Sequence, residues 1–364
     1  MITLPGLIDP HVHFRTPGQT HKEDFTTGTM AAIAGGFTCV LDMPNNKLPV
    51  TSYKLLVEKK KIAKKQIVCD VGFYFGSLGD NLEEFKKLIK YSSSERSESR
   101  SSRQTRTINS QVFGLKLYLN QTTGNFIIDK EKLLKIYDAW PKSKPILVHA
   151  EEDVIDLVIQ VCAKTKKKTH VCHVNSISEL KTIIRTKKKG LPITCGVTPH
   201  HLFLSFEQAK KLGSFGLMKP PISEGFTEFV WKNLKWVDCI ESDHAPHTIT
   251  EKKSKEPPFG VPGLETTLSL LLTASSKGQI SIKDIKRLCH DGPAKIFGIS
   301  QNAEIVIDEN EEWAVKGTKL FTKCKWSPFE NWKLKGKVKK VYIRNKLVFA
   351  DNKFLVKPGF GKVL

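Results

Sequence analysis

Eight short apolar, β-branched runs recur along the first two thirds of the chain, and segments of helical spacing separate them. The runs cover 7–13, 37–41, 66–73, 112–119, 145–149, 169–173, 192–195 and 238–242. The helical segments cover 22–34, 52–65, 81–90, 130–139, 153–165, 176–188, 226–234 and 264–275. Strands that alternate with helices form parallel sheets, because each helix returns the chain across the sheet. Eight such units predict an α/β fold, a closed (β/α)8 TIM barrel rather than an open doubly wound sheet. No glycine-rich dinucleotide fingerprint follows the first run, which also disfavours the open sheet. After 282–297, which reads as two short closing helices, the texture changes: 303–307, 312–315, 336–343 and 346–350 look like short strands. The expected organisation is a barrel over 4–300 and a small β appendage over 301–364, joined by residues 1–3. The serine- and arginine-rich stretch 92–107 lacks apolar residues and is expected to be disordered. It falls between a helix and the next strand, on the barrel face opposite the active site.

With 364 residues, 40% of them hydrophobic, the chain can bury a substantial core. No apolar run reaches the roughly 18 residues of a membrane span. Asp9 and His11 interrupt the apolar start where a secretory signal would run. The eight cysteines are spread singly, with no CxxC pair, and point to reduced, buried thiols in a cytoplasmic protein. A formal net charge of +21 raises the question of nucleic acid. The lysines, however, stand in short runs such as Lys59-Lys60-Lys61 and Lys166-Lys167-Lys168, at the polar ends of helical segments and without interleaved aromatics. They read as solvated helix faces, so neither nucleic acid nor a membrane is an expected partner. A positive field would still draw in a small anionic substrate.

The polar residues that cap the strands point to chemistry. His11 and His13 share one face of the first strand, since residues i and i+2 point the same way, and Arg15 follows at the same parity. Alone, the pair also fits a half-buried strand with two solvent-facing histidines. The fourth strand carries Lys116, the fifth ends in His149, the sixth in His173 and the eighth in Asp243. Four histidines, a lysine and an aspartate at the mouth of one barrel suit a metal site. Lys116 reads either as a salt-bridging barrel residue or as part of that site. An ammonium aimed at divalent cations is repelled by several kcal/mol at short range. A neutral amine can instead take up CO2 as a carbamate, an anion with two oxygens able to bridge two metals.

The motifs His11-x-His13-Phe14-Arg15-x-Pro17-Gly18, Met43-Pro44-Asn45, Gly114-Leu115-Lys116-Leu117-Tyr118-Leu119 and Ser242-Asp243-His244-Ala245-Pro246-His247 resemble those of dihydroorotases, in the amidohydrolase superfamily. The similarity covers roughly 4–300 and continues more weakly to the end. It is closest to the dihydroorotase domain of the multifunctional animal pyrimidine-biosynthesis protein. Shared stretches include 19–25, His200-His201-Leu202-Phe203 and Pro262-Gly263-Leu264-Glu265-Thr266.

The resemblance implies two zinc ions. His11, His13, a carboxylated Lys116 and Asp243 would hold one; His149, His173 and the same carbamate would hold the other, with a hydroxide bridging the two. Asp243 would serve as general acid and base. Arg15, Asn45 and His247 would bind the substrate carboxylate, with Lys219, Thr122, Pro262 and Gly263 also at the substrate. The loop Asn120-Gln121-Thr122-Thr123-Gly124 would close over the site. The reaction implied is the reversible cyclisation of N-carbamoyl-L-aspartate to L-dihydroorotate, in a homodimer. Dihydropyrimidinase, hydantoinase and allantoinase share the barrel but not the ring carboxylate that Arg15, Asn45 and His247 favour. A non-catalytic barrel serving as a scaffold would be expected to lose metal ligands. The chain departs from the family at three positions. Thr123 stands where the animal lid has an aromatic residue. Lys219 stands where relatives have Arg or Asn. Gly196 stands where many relatives have a Glu that, in the animal domain, joins the first histidine and Cys172 around an extra zinc. Cys172 is retained, but with glycine in place of that carboxylate a third metal is not expected.

Overall fold

A computed structural model describes residues 1–94, 112–121, 127–152 and 154–364. In chain order its strands are β1 (Ile2–Pro5), β2 (Leu7–Val12), β3 (Phe37–Asp42), β4 (Asp70–Phe73), β5 (Phe75–Gly76), β6 (Leu115–Tyr118) and β7 (Ile146–His149). They continue with β8 (Thr169–Val171), β9 (Ile193–Val197), β10 (Cys239–Ile240), β11 (Ala303–Ala314), β12 (Lys333–Ile343), β13 (Lys346–Ala350) and β14 (Lys353–Phe354). β2 and β3 are buried at every position, as parallel strands covered on both faces must be.

Several of the helices between them start at side-chain caps. Asp24 accepts from the Thr27 N–H at 2.8 Å and begins Phe25–Ala34. Ser52 begins Tyr53–Gln66, and Ser176 begins Ile177–Lys188. Each cap satisfies an amide that the first turn would leave without a partner.

The barrel strands form two parallel sheets, β2-β3-β4 and β10-β9-β8-β7-β6-β5. They meet at two seams. At the first, one strand changes partner: Tyr74 donates its N–H to Asp42 (3.2 Å), while Phe75 donates to Gly114 (3.1 Å). At the second, Val12 bridges His244 in parallel, and the His13 N–H donates to the His244 carbonyl at 2.9 Å. The buried Asp9 carboxylate staples that seam by accepting the N–H groups of His11 (3.0 Å) and Ser242 (3.1 Å). β2, β3, β4–β5, β6, β7, β8, β9 and β10 thus supply the eight strand positions of a TIM barrel.

A five-stranded antiparallel sheet, β1-β11-β12-β13-β14, lies beside it. The N-terminal contribution to this sheet extends to Pro5, beyond the expected residues 1–3. The two short strands expected at 303–307 and 312–315 are one strand, β11, with a register shift between Asp308 and Glu312. The C-terminal tail returns to the barrel, where the Val71 N–H donates to Lys362 and the Leu364 N–H to Val71. One expectation needs correction at its edge. The helix predicted over 81–90 runs from Leu82 to Ser94, so 92–94 finish a helix instead of opening a disordered stretch. Residues 95–107 lie outside the described residues. The eight cysteines are all buried and free. Among the described residues, no helix is long and apolar enough to cross a membrane.

Candidate metal centre

His11 sits on β2, and His13 follows directly. Lys116 is on β6, His149 ends β7, His173 stands two residues past β8, and Asp243 stands three past β10. All six are buried. Parallel strands bring their C-terminal ends together, so residues as distant as His13 and Asp243 meet, Nε2 to Oδ1, at 3.0 Å. His11 Nε2 lies 3.4 Å from the same oxygen. His11, His13 and Asp243 each offer a donor atom within 4.8 Å of the others. Beside them His149 Nδ1 is 3.2 Å from His173 Nε2, and the His11 and His173 rings are 5.1 Å apart. Lys116 Nζ ends 3.0 Å from Cys172 Sγ and 4.9 Å from the centre of the Tyr118 ring.

Burial sets the charge state of these groups. It pulls His13 down to about 3 and His173 well below the ordinary imidazole range, so both present neutral lone pairs. Burial pushes the Asp243 carboxyl up, but His11 and His13 beside it outweigh that and hold it below the ordinary carboxylate range. Neutral imidazoles around an ionised carboxylate are donors matched to a divalent cation such as zinc. The backbone is strained at the same place. Arg15 (φ 58°), His173 (φ 37°) and Asp243 (φ 43°) are all left-handed, a conformation non-glycine residues hold only where surrounding structure imposes it.

One cavity is lined by His11, His13, His149, His173 and Asp243 together with Arg15, Asn45 and Lys219. Asn45 Oδ1 holds His13 Nδ1 at 2.8 Å. His247 lies behind Arg15, with its Nε2 3.2 Å from the guanidinium and its Nδ1 3.3 Å from Lys22 Nζ. Pro262 and Gly263 do not line the cavity; Phe259 and Gly260 of the same loop do. Thr122, Thr123 and Gly124 lie outside the described residues.

Two carboxylates were not singled out in the sequence. Glu151 accepts from His149 Nε2 (3.0 Å) and faces Lys219 (3.4 Å). Its signal was the i+2 spacing from His149. Glu241 is fully buried beside His11, His170 and His173. Its signal was a charge inside an apolar strand run. Glu241 also corrects the premise, drawn from Gly196, that the carboxylate is missing there. A carboxylate does stand beside His11 and Cys172, but it comes from the end of β10 and fills the space that glycine leaves on β9.

A family model described as "Amidohydrolase family" matches residues 2–191. The chain is 38% identical to "Multifunctional protein CAD" of Squalus acanthias, over all of this chain but only 16% of that protein. It is 35% identical to a dihydroorotase of Pyrococcus horikoshii, over all of this chain and 84% of that one. Among solved structures, an L-hydantoinase from Arthrobacter aurescens superposes with a TM-score of 0.89 at 21% identity, covering 100% of this chain and 88% of that one. An inactive dihydroorotase-like domain from a Chaetomium thermophilum CAD-like protein gives 0.81 at 26%, covering 100% and 99%. Cavity, strand-end donors and full-length similarity agree: the chain belongs to the amidohydrolase family, among its dihydroorotases.

Proposed function

We propose that this chain catalyses the reversible, zinc-dependent cyclisation of N-carbamoyl-L-aspartate to L-dihydroorotate. The observation that carries the reading is the single cavity in which four imidazoles and Asp243 face Arg15 and Asn45. His11, His13 and Asp243 would hold one zinc, and His149 and His173 the other, with Lys116 joining both as its carbamate. Bound there, a pair of zinc ions would acidify a water and polarise the carbonyl at the ring-closing bond.

The remaining roles belong to the chain's own groups. Arg15, buried and braced by the Pro246 carbonyl (3.4 Å) and His247, would take the substrate carboxylate through its planar fork. Asn45 would orient the ring while holding His13. Asp243, ionised at rest, would take the proton from the ureido nitrogen during closure and return it during opening. Lys219, steadied by Glu151, would add a second cation at the cavity mouth. We further infer that 4–300 is the catalytic unit and that the antiparallel sheet is an appendage to it.

The test is zinc content and dihydroorotate turnover of the purified chain, with dihydrouracil and hydantoin as competing substrates. About two zinc ions per chain and selective turnover of dihydroorotate are expected. Preference for a ring without the carboxylate would favour the hydantoinase reading. Zinc-free, inactive protein would leave a scaffold role.

A further inference from the structure

Glu241 is a charge in the barrel interior that the proposed reaction does not use. Its Oε2 lies 3.4 Å from His11 Nδ1 and 3.5 Å from His170 Nε2. Its Oε1 accepts the backbone N–H of His173. His11 Nδ1 is buried and makes no hydrogen bond among the described residues; the Glu241 oxygen at 3.4 Å is the carboxylate it faces. The opposite nitrogen of that ring, Nε2, faces Asp243 in the cavity. His11 is therefore held between two carboxylates, one at the donor cluster and one behind it. His173, from the other half of the cluster, keeps its left-handed backbone with its amide pinned to the same Glu241.

A fully buried carboxylate is unfavourable unless donors surround it, and a small apolar side chain would fill this volume at less cost. Space for it depends on Gly196. A Cβ at that position would lie 2.6 Å from both the carboxyl carbon and Oε1 of Glu241, closer than real side chains approach.

We propose that Glu241 is the positioning residue of the metal centre. It selects which ring nitrogen of His11 faces the cavity, and it fixes the turn that aims His173, one ligand from each half of the cluster. Gly196 is glycine so that this carboxylate fits. The inference rests on the reading that His11 and His173 bind metal. Outer carboxylates that accept from a ligating histidine set its tautomer and orientation, and losing one weakens metal binding about 10–100-fold. The source strand is interchangeable in this scheme. Two C–C bonds carry a glutamate carboxyl carbon about 2.5 Å from its own Cβ. A glutamate placed at position 196 would therefore reach the site that the Glu241 carboxylate now occupies, 2.6 Å from that Cβ.

The experiment measures zinc affinity of the full chain by chelator competition, with thermal unfolding of the metal-free proteins recorded alongside. The variants are Glu241→Gln, Glu241→Ala and the double variant Gly196→Glu/Glu241→Ala. Glu241→Gln is expected to stay folded and bind zinc about 10–100-fold more weakly. The double variant is expected to regain most of what Glu241→Ala loses. Unchanged affinity in Glu241→Gln, or a double variant no tighter than Glu241→Ala, overturns the inference. So does the loss of one whole zinc equivalent with the others held as before, since Glu241 would then be a ligand of an extra ion. If Glu241→Ala or the double variant does not fold, Glu241→Gln decides alone. A wild-type chain that binds no zinc overturns the proposed function itself; a zinc-loaded wild type matched by Glu241→Gln overturns only the role of Glu241.

Discussion

Lys116 Nζ donates to the Cys172 sulfur and lies over the face of Tyr118, while its charge adds to burial in disfavouring protonation of His149 and His173. As a carbamate it would neutralise part of the charge of two zinc ions and hold them at a fixed separation. Lys116→Ala is therefore expected to lose zinc and to lower turnover at least about 100-fold, since metal polarisation supplies several kcal/mol of transition-state stabilisation. Propionate or acetate should restore part of the activity by filling the vacated site. Full activity in Lys116→Ala would remove the carbamate from the scheme. Arg15 works on the other side of the cavity. A lysine there keeps the charge but loses the second N–H of the fork, a charge-assisted bond of about 1.5–3 kcal/mol. Arg15→Lys should raise KM roughly 10–100-fold while zinc per chain, read by metal analysis, stays at the wild-type value. Unchanged kinetics would take Arg15 out of the substrate site.

The elements that carry these residues meet the C-terminal sheet through the last long helix, Leu264–Ser276. Its first turn holds Glu265, whose two oxygens accept the N–H groups of Phe321 and Thr322 at 2.9 Å each. Burial pushes this carboxyl from the ordinary 4.5 up to about 7; the two amides hold it back in part, and Glu23 repels it further. The folded chain thus binds a proton there more tightly than the unfolded chain does. The resulting stability is complete below about pH 4.5 and fades as pH rises through about 7, by at most on the order of 3 kcal/mol. Glu265→Gln removes that slope and one acceptor. It should be about 1 kcal/mol less stable than wild type at pH 5 and equal or more stable at pH 8, as read by thermal unfolding at both values. A constant gap would mean that Glu265 titrates normally.

Elements of this kind differ in how far the sequence reveals them. β3 was legible from its apolar, β-branched run between Gly36 and Pro44, and β2 from the strand parity shared by His11 and His13. The helices Pro199–Phe203 and Phe206–Lys211 were not, because five or six residues carry too little periodicity to register. β10 keeps only two of the five residues expected, since the chain leaves the ladder early to turn Asp243 into the cavity. The parity of His11 and His13 was readable locally. The partners of Glu241 were not, because they come from β2 and the end of β8, elements no local spacing connects.

At the scale of the whole molecule, the barrel separates chemistry from tolerance to insertion. The described donors gather at the C-terminal ends of the strands, whereas the 95–111 segment joins the end of the helix Leu82–Ser94 to the approach to β6. That helix returns the chain from the C-terminal end of β5 to the N-terminal end of β6, so both flanks of the segment lie on the face away from the cavity. Phe113 and Leu115 are fixed independently of it, donating their N–H groups to Phe73 (3.0 Å) and Pro145 (3.1 Å), and β6 delivers Lys116 on that footing. Removing 95–107 closes a shorter connection between two anchored ends, and loop closure changes by only about 1.3 kcal/mol for such a change in length. The deletion is expected to leave kcat and KM within about twofold of wild type and the unfolding temperature within about 2 °C. A variant that folds and binds zinc normally yet loses most of its turnover would show that the segment reaches around to the catalytic face.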